Sequence, residues 1–188
     1  MGTLVVTTFI SLDGVVEAPG GGDFKYAEWS FAFDRGEDGE RFKHDEALGA
    51  EALLIGRTTY EGFAAVWPNY EGELADKYNS MPKYVVSSTL TNPTWNNTRV
   101  LSGDLLPEVT KLKAEVAGEI QVPGSIRLVQ ALLAADLVDE IHLMTFPVLL
   151  GTGRHLFAET PEKTTWKLPR SLTVGEGIPV TVYQRNLS

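Results

Sequence analysis

The chain has 188 residues, 43% of them hydrophobic, and 25 acidic against 16 basic side chains give it a formal net charge of -9. This length suits one domain over residues 1–188 with a substantial core. The acidic excess repels phosphate backbones and disfavours nucleic acid as a partner, and the lack of cysteine excludes disulfides, thiolate metal sites and cysteine nucleophiles. Because the N-terminus lacks the basic flank and apolar core of an export signal, and apolar runs are short, we expect a cytoplasmic protein with no membrane partner.

Strand and helix patterns alternate through the first half of the chain. Leu4–Ile10 is rich in β-branched residues and predicts a strand, which a loop rich in Gly and Pro follows. Acids and bases with few apolar residues between them predict a solvent-facing helix from about Asp34 to Gly49. The apolar run Ala52–Ile55 predicts a short buried strand, and helices over Thr58–Val66 and Glu73–Asn79 follow.

The second half continues this alternation and ends in strands. Val109, Leu112 and Val116 are spaced by three and four residues, as in an amphipathic helix. Gly175 and Gly177 join the last two apolar runs and favour an antiparallel pair. The whole pattern predicts an α/β fold with a mostly parallel sheet, helices on both faces and an antiparallel C-terminal edge. The predicted segments are strands at 83–90, 98–102, 119–122 and 138–150, helices at 107–117 and 123–137, and a β pair within 166–186.

The ends of three predicted strands carry residues suited to bind an anion. In open α/β sheets, ligands bind beyond the carboxyl ends of the strands, where helix N-termini expose unpaired N–H groups. Glycine lets a backbone approach closely, arginine offers a forked cation, and hydroxyls cap helices or bind phosphate oxygens. Ordinary turns and caps use the same residues, so both readings stay open. The residues are Gly56, Arg57, Thr58 and Thr59, then Ser87, Ser88 and Thr89, then Pro123, Gly124 and Ser125.

Common nucleotide motifs are absent from the sequence. It contains no G-x-x-x-x-G-K-[ST], and GTGRHLF from Gly151 lacks the third glycine of a dinucleotide fingerprint. Four other segments resemble the dihydrofolate reductase superfamily: SLDG, LLIGRTTYEGF, YVVSS and VPGSIRLVQALLAADLVDEIHLMTFPVLLGTGRHLF. The chain is most similar to stand-alone proteins like the C-terminal reductase domain of the riboflavin-biosynthesis deaminase-reductase. Pro123 departs from the pattern, because dihydrofolate reductases have there the first of two glycines joined by a cis bond.

This resemblance implies a dihydrofolate-reductase-like three-layer sandwich that binds NADPH. It implies that Arg57 contacts the 2′-phosphate with Ser87 and Ser88, and that Thr59 and the helix start hold the pyrophosphate. It also implies that the turn at Gly124 lies beside the pyrophosphate and the nicotinamide. The implied cofactor-binding set is Gly56, Arg57, Thr58, Thr59, Ser87, Ser88, Val122, Gly124, Ser125 and Ile126.

The implied activity is hydride transfer to a small heterocyclic or carbonyl/imine substrate. Such a reaction needs alignment and a proton partner rather than a protein nucleophile. Asp13 in SLDG is the first candidate for this catalytic role, although Asp-Gly is equally typical of a turn. Acids on the first helix, Asp38, Glu40 and Glu46, are more typical of surface charges and receive no role.

Other features favour structural roles. The alternating aromatics Trp29, Phe31 and Phe33 can line a pocket but more often pack in a core or a dimer. The three histidines match no metal-ligand spacing, so no metal site is predicted, and His142 lies in a predicted strand as a structural residue. The resemblance implies a homodimer. Two alternatives stay open: a non-catalytic NADPH-binding or sensing protein, and a dimeric interaction domain with an empty cleft.

Overall fold

A computed structural model describes residues 1–159 and 162–186. Strands and helices alternate as the sequence predicts. The strands are β1 (Thr3–Ser11), β2 (Ala50–Gly56), β3 (Lys83–Val86), β4 (Thr98–Leu101), β5 (Glu119–Pro123), β6 (Glu140–Phe146), β7 (Trp166–Val174) and β8 (Ile178–Arg185). The helices are α1 (Gly36–Gly49), α2 (Arg57–Val66), α3 (Glu73–Ser80), α4 (Leu105–Glu115) and α5 (Ile126–Ala134), with short 3-10 turns at Trp29–Ala32 and Trp67–Asn69.

These strands form one eight-stranded sheet in the order β4-β3-β2-β5-β1-β6-β8-β7. β1 to β6 pair in parallel, and β8 pairs antiparallel with both β6 and β7. The predicted α/β class with an antiparallel C-terminal edge is therefore confirmed. Two strands each end four residues earlier than predicted. β3 ends before Ser87, whose Oγ accepts the N–H groups of Thr89 and Leu90 and turns the chain, and β6 ends before Pro147, which has no N–H to donate.

Helices cover both faces of the sheet, so the predicted three layers are present. Alternate side chains of a strand point to opposite faces. Leu54 lies in the core that α4 and α5 cover, whereas its neighbours Leu53 and Ile55 lie in the core beneath α2. The third cluster of buried side chains surrounds Phe146 beneath the start of α1. Within the described residues, no helix is both long and apolar enough to cross a bilayer.

The alternating aromatics divide between the core and the surface. Trp29 and Phe33 pack on Phe146, with ring centroids 5.5 and 5.7 Å apart. Phe31 is 64% exposed. Packing in the core therefore holds for Trp29 and Phe33, whereas Phe31 lies on the surface, where packing in a dimer stays a prediction.

The prediction of a solvent-facing helix is wrong for one side of α1. Gly39, Phe42 and Ala47 are buried against the sheet, and the side chain of Glu46 is only 6% exposed. The inner side of this helix is partly ionic, so apolar periodicity does not reveal it.

Candidate functional site

The sheet brings the three predicted anion-binding turns to one edge. β2 pairs in parallel with both β3 and β5, so the carboxyl ends of these three strands are neighbours. Gly56, Ser87 and Gly124 lie at or just beyond these ends. We call this edge the strand-end cradle. It comprises residues 56–59, 87–89 and 124–126.

Hydrogen bonds join the turns after β2 and β5. The Gly56 N–H donates to Ser125 Oγ at 3.0 Å. Ser125 N–H and Oγ–H donate to Thr59 Oγ1 at 3.1 and 2.9 Å. Because Thr59 Oγ1 accepts both bonds, its own proton is available to a further acceptor.

The N-termini of α2 and α5 both open onto this junction. Neither helix has a side-chain cap or an acidic residue in its first turn. Gly124 and Ser125 have φ values of 57° and 52°, so the turn between β5 and α5 is left-handed at both residues. The positive ends of two helices therefore meet where an anion would bind. The Pro123–Gly124 peptide bond is trans.

Arg57 connects the turn after β2 to the turn after β3. Its Nε donates to Glu61 Oε1 at 2.7 Å, and its Nη1 donates to Thr89 Oγ1 at 2.8 Å. The Arg57 side chain is 48% exposed, so its ion pair with Glu61 is a surface pair, and the guanidinium is accessible to a ligand. Ser87 and Ser88 lie on the same turn as Thr89, and Ser88 is exposed. The predicted 2′-phosphate residues therefore lie together.

The remaining members of the predicted cofactor set differ in what they can offer. Thr58 is exposed in the first turn of α2, and Ile126 is partly buried at the start of α5. Val122 is fully buried and pairs with Val6 of β1, so its side chain belongs to the core. Val122 can therefore reach a cofactor only through its backbone.

Asp13 ties two loops together beside the cradle. Its carboxylate accepts the Ser11 hydroxyl proton at 2.6 Å and the N–H groups of Gly151 and Leu150 at 2.8 and 3.2 Å. The hydrogen bond from Ser11, followed by that from Gly151, lowers the pKa of Asp13 to about 2. At neutral pH this carboxylate is ionised and has no proton to donate. A catalytic role for Asp13 stays a prediction, and an ionised Asp13 can serve it only by orienting groups.

Sequence reasoning missed a polar network between α1 and the sheet, which we call the α1 network: Thr7, Lys43, Glu46, Glu140 and His142. Lys43 Nζ donates to Thr7 Oγ1 at 2.6 Å and also contacts Glu46. Glu46 accepts from Thr7 at 2.9 Å and from His142 Nδ1 at 2.6 Å. His142 Nε2 lies 3.2 Å from Glu140 Oε2. The only available signals were the i, i+3 spacing of Lys43 and Glu46 beside Phe42 and the placement of His142 between apolar strand residues.

The charges of the α1 network stabilise each other. Burial alone would raise the pKa of Glu46, but Lys43 and His142 outweigh burial and hold that pKa below its ordinary value. Burial alone would lower the pKa of His142, but its hydrogen bond with Glu46 and the charge of Glu46 outweigh burial and raise it. The ionised form of each group therefore favours the ionised form of the other.

Comparisons with known proteins show the family of the chain. The family model for the RibD C-terminal domain matches residues 2–180. The Bacillus subtilis protein YyaP, described as uncharacterized, is 27% identical over 192 residues, which cover 97% of this chain and 95% of YyaP. A second uncharacterized protein of the same organism, YwjB, is 24% identical over 169 residues, 90% of each chain.

Three solved structures share the fold. A putative riboflavin biosynthesis protein from Shewanella sp. PV-4 has a TM-score of 0.80 at 23% identity, covering 98% of this chain and 99% of its own. A pyrimidine reductase-like protein from Corynebacterium diphtheriae has a TM-score of 0.69 at 13% identity, covering 99% and 92%. Dihydrofolate reductase from Enterococcus faecalis, solved with NADP(H), has a TM-score of 0.64 at 16% identity, covering 98% and 96%. The fold is therefore dihydrofolate-reductase-like, and the chain belongs to the RibD C-terminal domain family.

Proposed function

We propose that the protein is an NADPH-dependent reductase that transfers hydride to a small heterocyclic or carbonyl/imine substrate. The observation that carries this proposal is the junction of Gly56, Thr59 and Ser125 beside the contact of Arg57 with Thr89. It combines two uncapped helix N-termini, an unused hydroxyl proton and an accessible guanidinium at one edge. A pyrophosphate with a nearby phosphate ester is the kind of ligand that such donors fit.

The glycine of the first turn supports the fit. Gly56 has a φ of -82°, which any residue can adopt, and an added Cβ would lie 3.9 Å from its nearest neighbour, Ser125. The fold itself therefore does not require glycine at this position. A ligand that approaches the backbone closely does require it.

Arg57 is the basis for proposing NADPH rather than NADH. Its guanidinium can exchange the surface pair with Glu61 for a bidentate contact to a 2′-phosphate, and the hydroxyl of Ser88 lies on the adjoining turn. Thr59 and the start of α5 would hold the pyrophosphate. When bound, NADPH supplies the hydride, and the chain supplies alignment, exclusion of water and a proton.

A titration of the purified chain with NADPH and NADH, followed by cofactor fluorescence, tests the cofactor assignment. We expect tight binding of NADPH and markedly weaker binding of NADH. Equal affinities, or no binding of either, would contradict the proposal.

Turnover tests the enzymatic part. We expect loss of NADPH absorbance with a member of a panel of pteridines, pyrimidinones and quinones. Selective NADPH binding without turnover of any panel member would favour the non-catalytic sensing alternative.

A further inference from the structure

The α1 network holds a histidine ring between two carboxylates. His142 Nδ1 lies 2.6 Å from a Glu46 oxygen, and Nε2 lies 3.2 Å from a Glu140 oxygen. An ionised carboxylate only accepts hydrogen bonds, so this position favours the imidazolium form, in which both ring nitrogens donate. The His142 side chain is only 11% exposed, and its two carboxylate partners compensate its buried charge.

Lys43 is the member of the network with a hydrogen-bond donor to spare. An ammonium group has three N–H donors, and Thr7 and Glu46 take two of them. The Lys43 side chain is 24% exposed, compared with 6% for Glu46. Its Nζ lies 5.5 Å from the centre of the Phe9 ring, and Arg35 lies over the same ring at 4.9 Å. The Lys43 ammonium group therefore lies beside the Phe9 ring on the α1 side of the sheet.

Strand register places this donor next to the cradle. Thr7 of β1 is the Cα partner of Pro123 in β5, and Pro123 immediately precedes the turn at Gly124. Neighbouring strands lie about 5 Å apart. Lys43 Nζ, bonded to Thr7, is therefore within about 10 Å of that turn, beside which the resemblance implies the nicotinamide.

We propose that Lys43 is the proton donor to the acceptor, and that Glu46 and His142 are positioning residues that fix its ammonium group over Thr7. This assignment rests on the proposed function. It supplies the proton that ionised Asp13 lacks, and it names the acceptor as a flat ring compound with a C=N or C=O bond.

The step balances without any further reagent. The acceptor carbon takes the hydride, which brings two electrons, and the π pair moves to the nitrogen or oxygen. That atom takes a proton from Lys43 Nζ. The neutral amine is recharged from solvent through its exposed side, while Glu46 keeps its position.

Other charged groups also face His142. Glu46 and Lys43 face it from α1, and Glu140 lies on its own strand. Glu119 of β5 also acts on it, and burial raises the pKa of Glu119. Tyr78 of α3 stays neutral, because burial and then the charge of Glu46 raise its pKa to about 12. Raising the pH through the pKa of His142 removes the donor to one carboxylate and loosens the network. Catalysis should therefore fall on the alkaline side.

The test compares the wild type with Lys43→Met, Lys43→Arg and His142→Gln. Arg41→Met, at an exposed position on the same helix, is the matched control. Three readouts are made on each protein. They are NADPH affinity by fluorescence, binding of pterin, uracil and menadione by saturation-transfer NMR with and without NADP⁺, and single-turnover NADPH oxidation with each compound that binds.

The expected pattern separates Lys43 from the cradle. Lys43→Met should leave NADPH affinity within about twofold of wild type while weakening the bound compound about tenfold or more, because a charge-assisted hydrogen bond is lost. Turnover should fall about a hundredfold or more, as for loss of a general acid. Lys43→Arg keeps the charge and should restore most of the binding. His142→Gln has no ring to titrate, so turnover should be low at every pH, the alkaline fall should disappear from the pH–rate profile, and NADPH affinity should not change.

Two results would overturn the assignment. One is a Lys43→Met protein that behaves like Arg41→Met in binding and turnover. The other is a wild-type protein that binds NADPH but none of the three compounds. Failure of the proposed function would look different, because the wild type would then bind NADPH no more tightly than NADH, or would bind neither.

Discussion

Replacing Arg57 with methionine is the most direct test of the cradle. The guanidinium now makes a surface ion pair with Glu61 and one hydrogen bond to Thr89. A charged hydrogen bond to a 2′-phosphate contributes about 1.5–3 kcal/mol, and giving up an i, i+4 surface pair costs about 0.5 kcal/mol. The net contribution of about 1–2.5 kcal/mol corresponds to roughly a 5- to 60-fold loss of NADPH affinity in Arg57→Met. NADH, which lacks this phosphate, should lose about twofold or less.

The assay is fluorescence titration of both cofactors at fixed ionic strength. Arg99→Met is the matched control, because Arg99 lies in edge strand β4 outside the cradle, forms a surface ion pair with Glu115 and is similarly exposed, at 53%. This control should leave both affinities unchanged. Equal losses of NADPH and NADH in Arg57→Met, or a loss of the same size in Arg99→Met, would refute a specific contact between Arg57 and the 2′-phosphate.

Three further substitutions test the site and its surroundings. Glu61→Gln removes the internal competitor for Arg57, so NADPH affinity by the same titration should rise about twofold, and a fall would contradict the exchange. Asp13→Asn weakens the tie between two loops, so the amide of Gly151 should exchange faster by hydrogen–deuterium exchange while NADPH affinity stays unchanged. Burial of Lys83 lowers its pKa from 10.5 to about 8. The unfolded chain therefore binds this proton more tightly than the folded chain does. The free energy of unfolding should consequently rise by up to about 3 kcal/mol from pH 8 to pH 10.5. Urea unfolding of Lys83→Met should lack this rise, and a wild-type curve parallel to that of Lys83→Met would contradict the buried charge.

The cradle was predictable because it depends on general geometry rather than on particular contacts. Parallel strands place their carboxyl ends at one edge of the sheet. The turns that follow neighbouring strands therefore lie close together, whichever side chains they carry. Gly56, Arg57 and Gly124 follow strands that are clear from their apolar runs. What the pattern could not give is the internal bonding, such as the contact of Arg57 with Thr89, which depends on loop conformation.

The α1 network was not predictable, because it depends on pairs far apart in the chain. Glu46 and His142 are 96 residues apart, and a glutamate on a charged helix is typical of a surface position. Only the packing of α1 on β1 and β6 shows that Lys43 and Glu46 face inward. The strand residue Thr7 then completes a set in which each buried group has a partner.

An acidic chain can bind the proposed anionic ligand because its net charge and the local groups at the cradle act over different distances. Exposed charges are screened beyond about 8 Å at physiological ionic strength, so the net charge of -9 bears mainly on extended partners such as nucleic acid. A dinucleotide phosphate at the cradle instead meets the local groups: two helix N-termini without acids in their first turns, and one guanidinium. The acid that contacts Arg57 at this edge is Glu61, and the two form a surface ion pair. We therefore expect these local donors, rather than the net charge, to decide whether an acidic protein binds a phosphorylated cofactor while repelling polymers of phosphate.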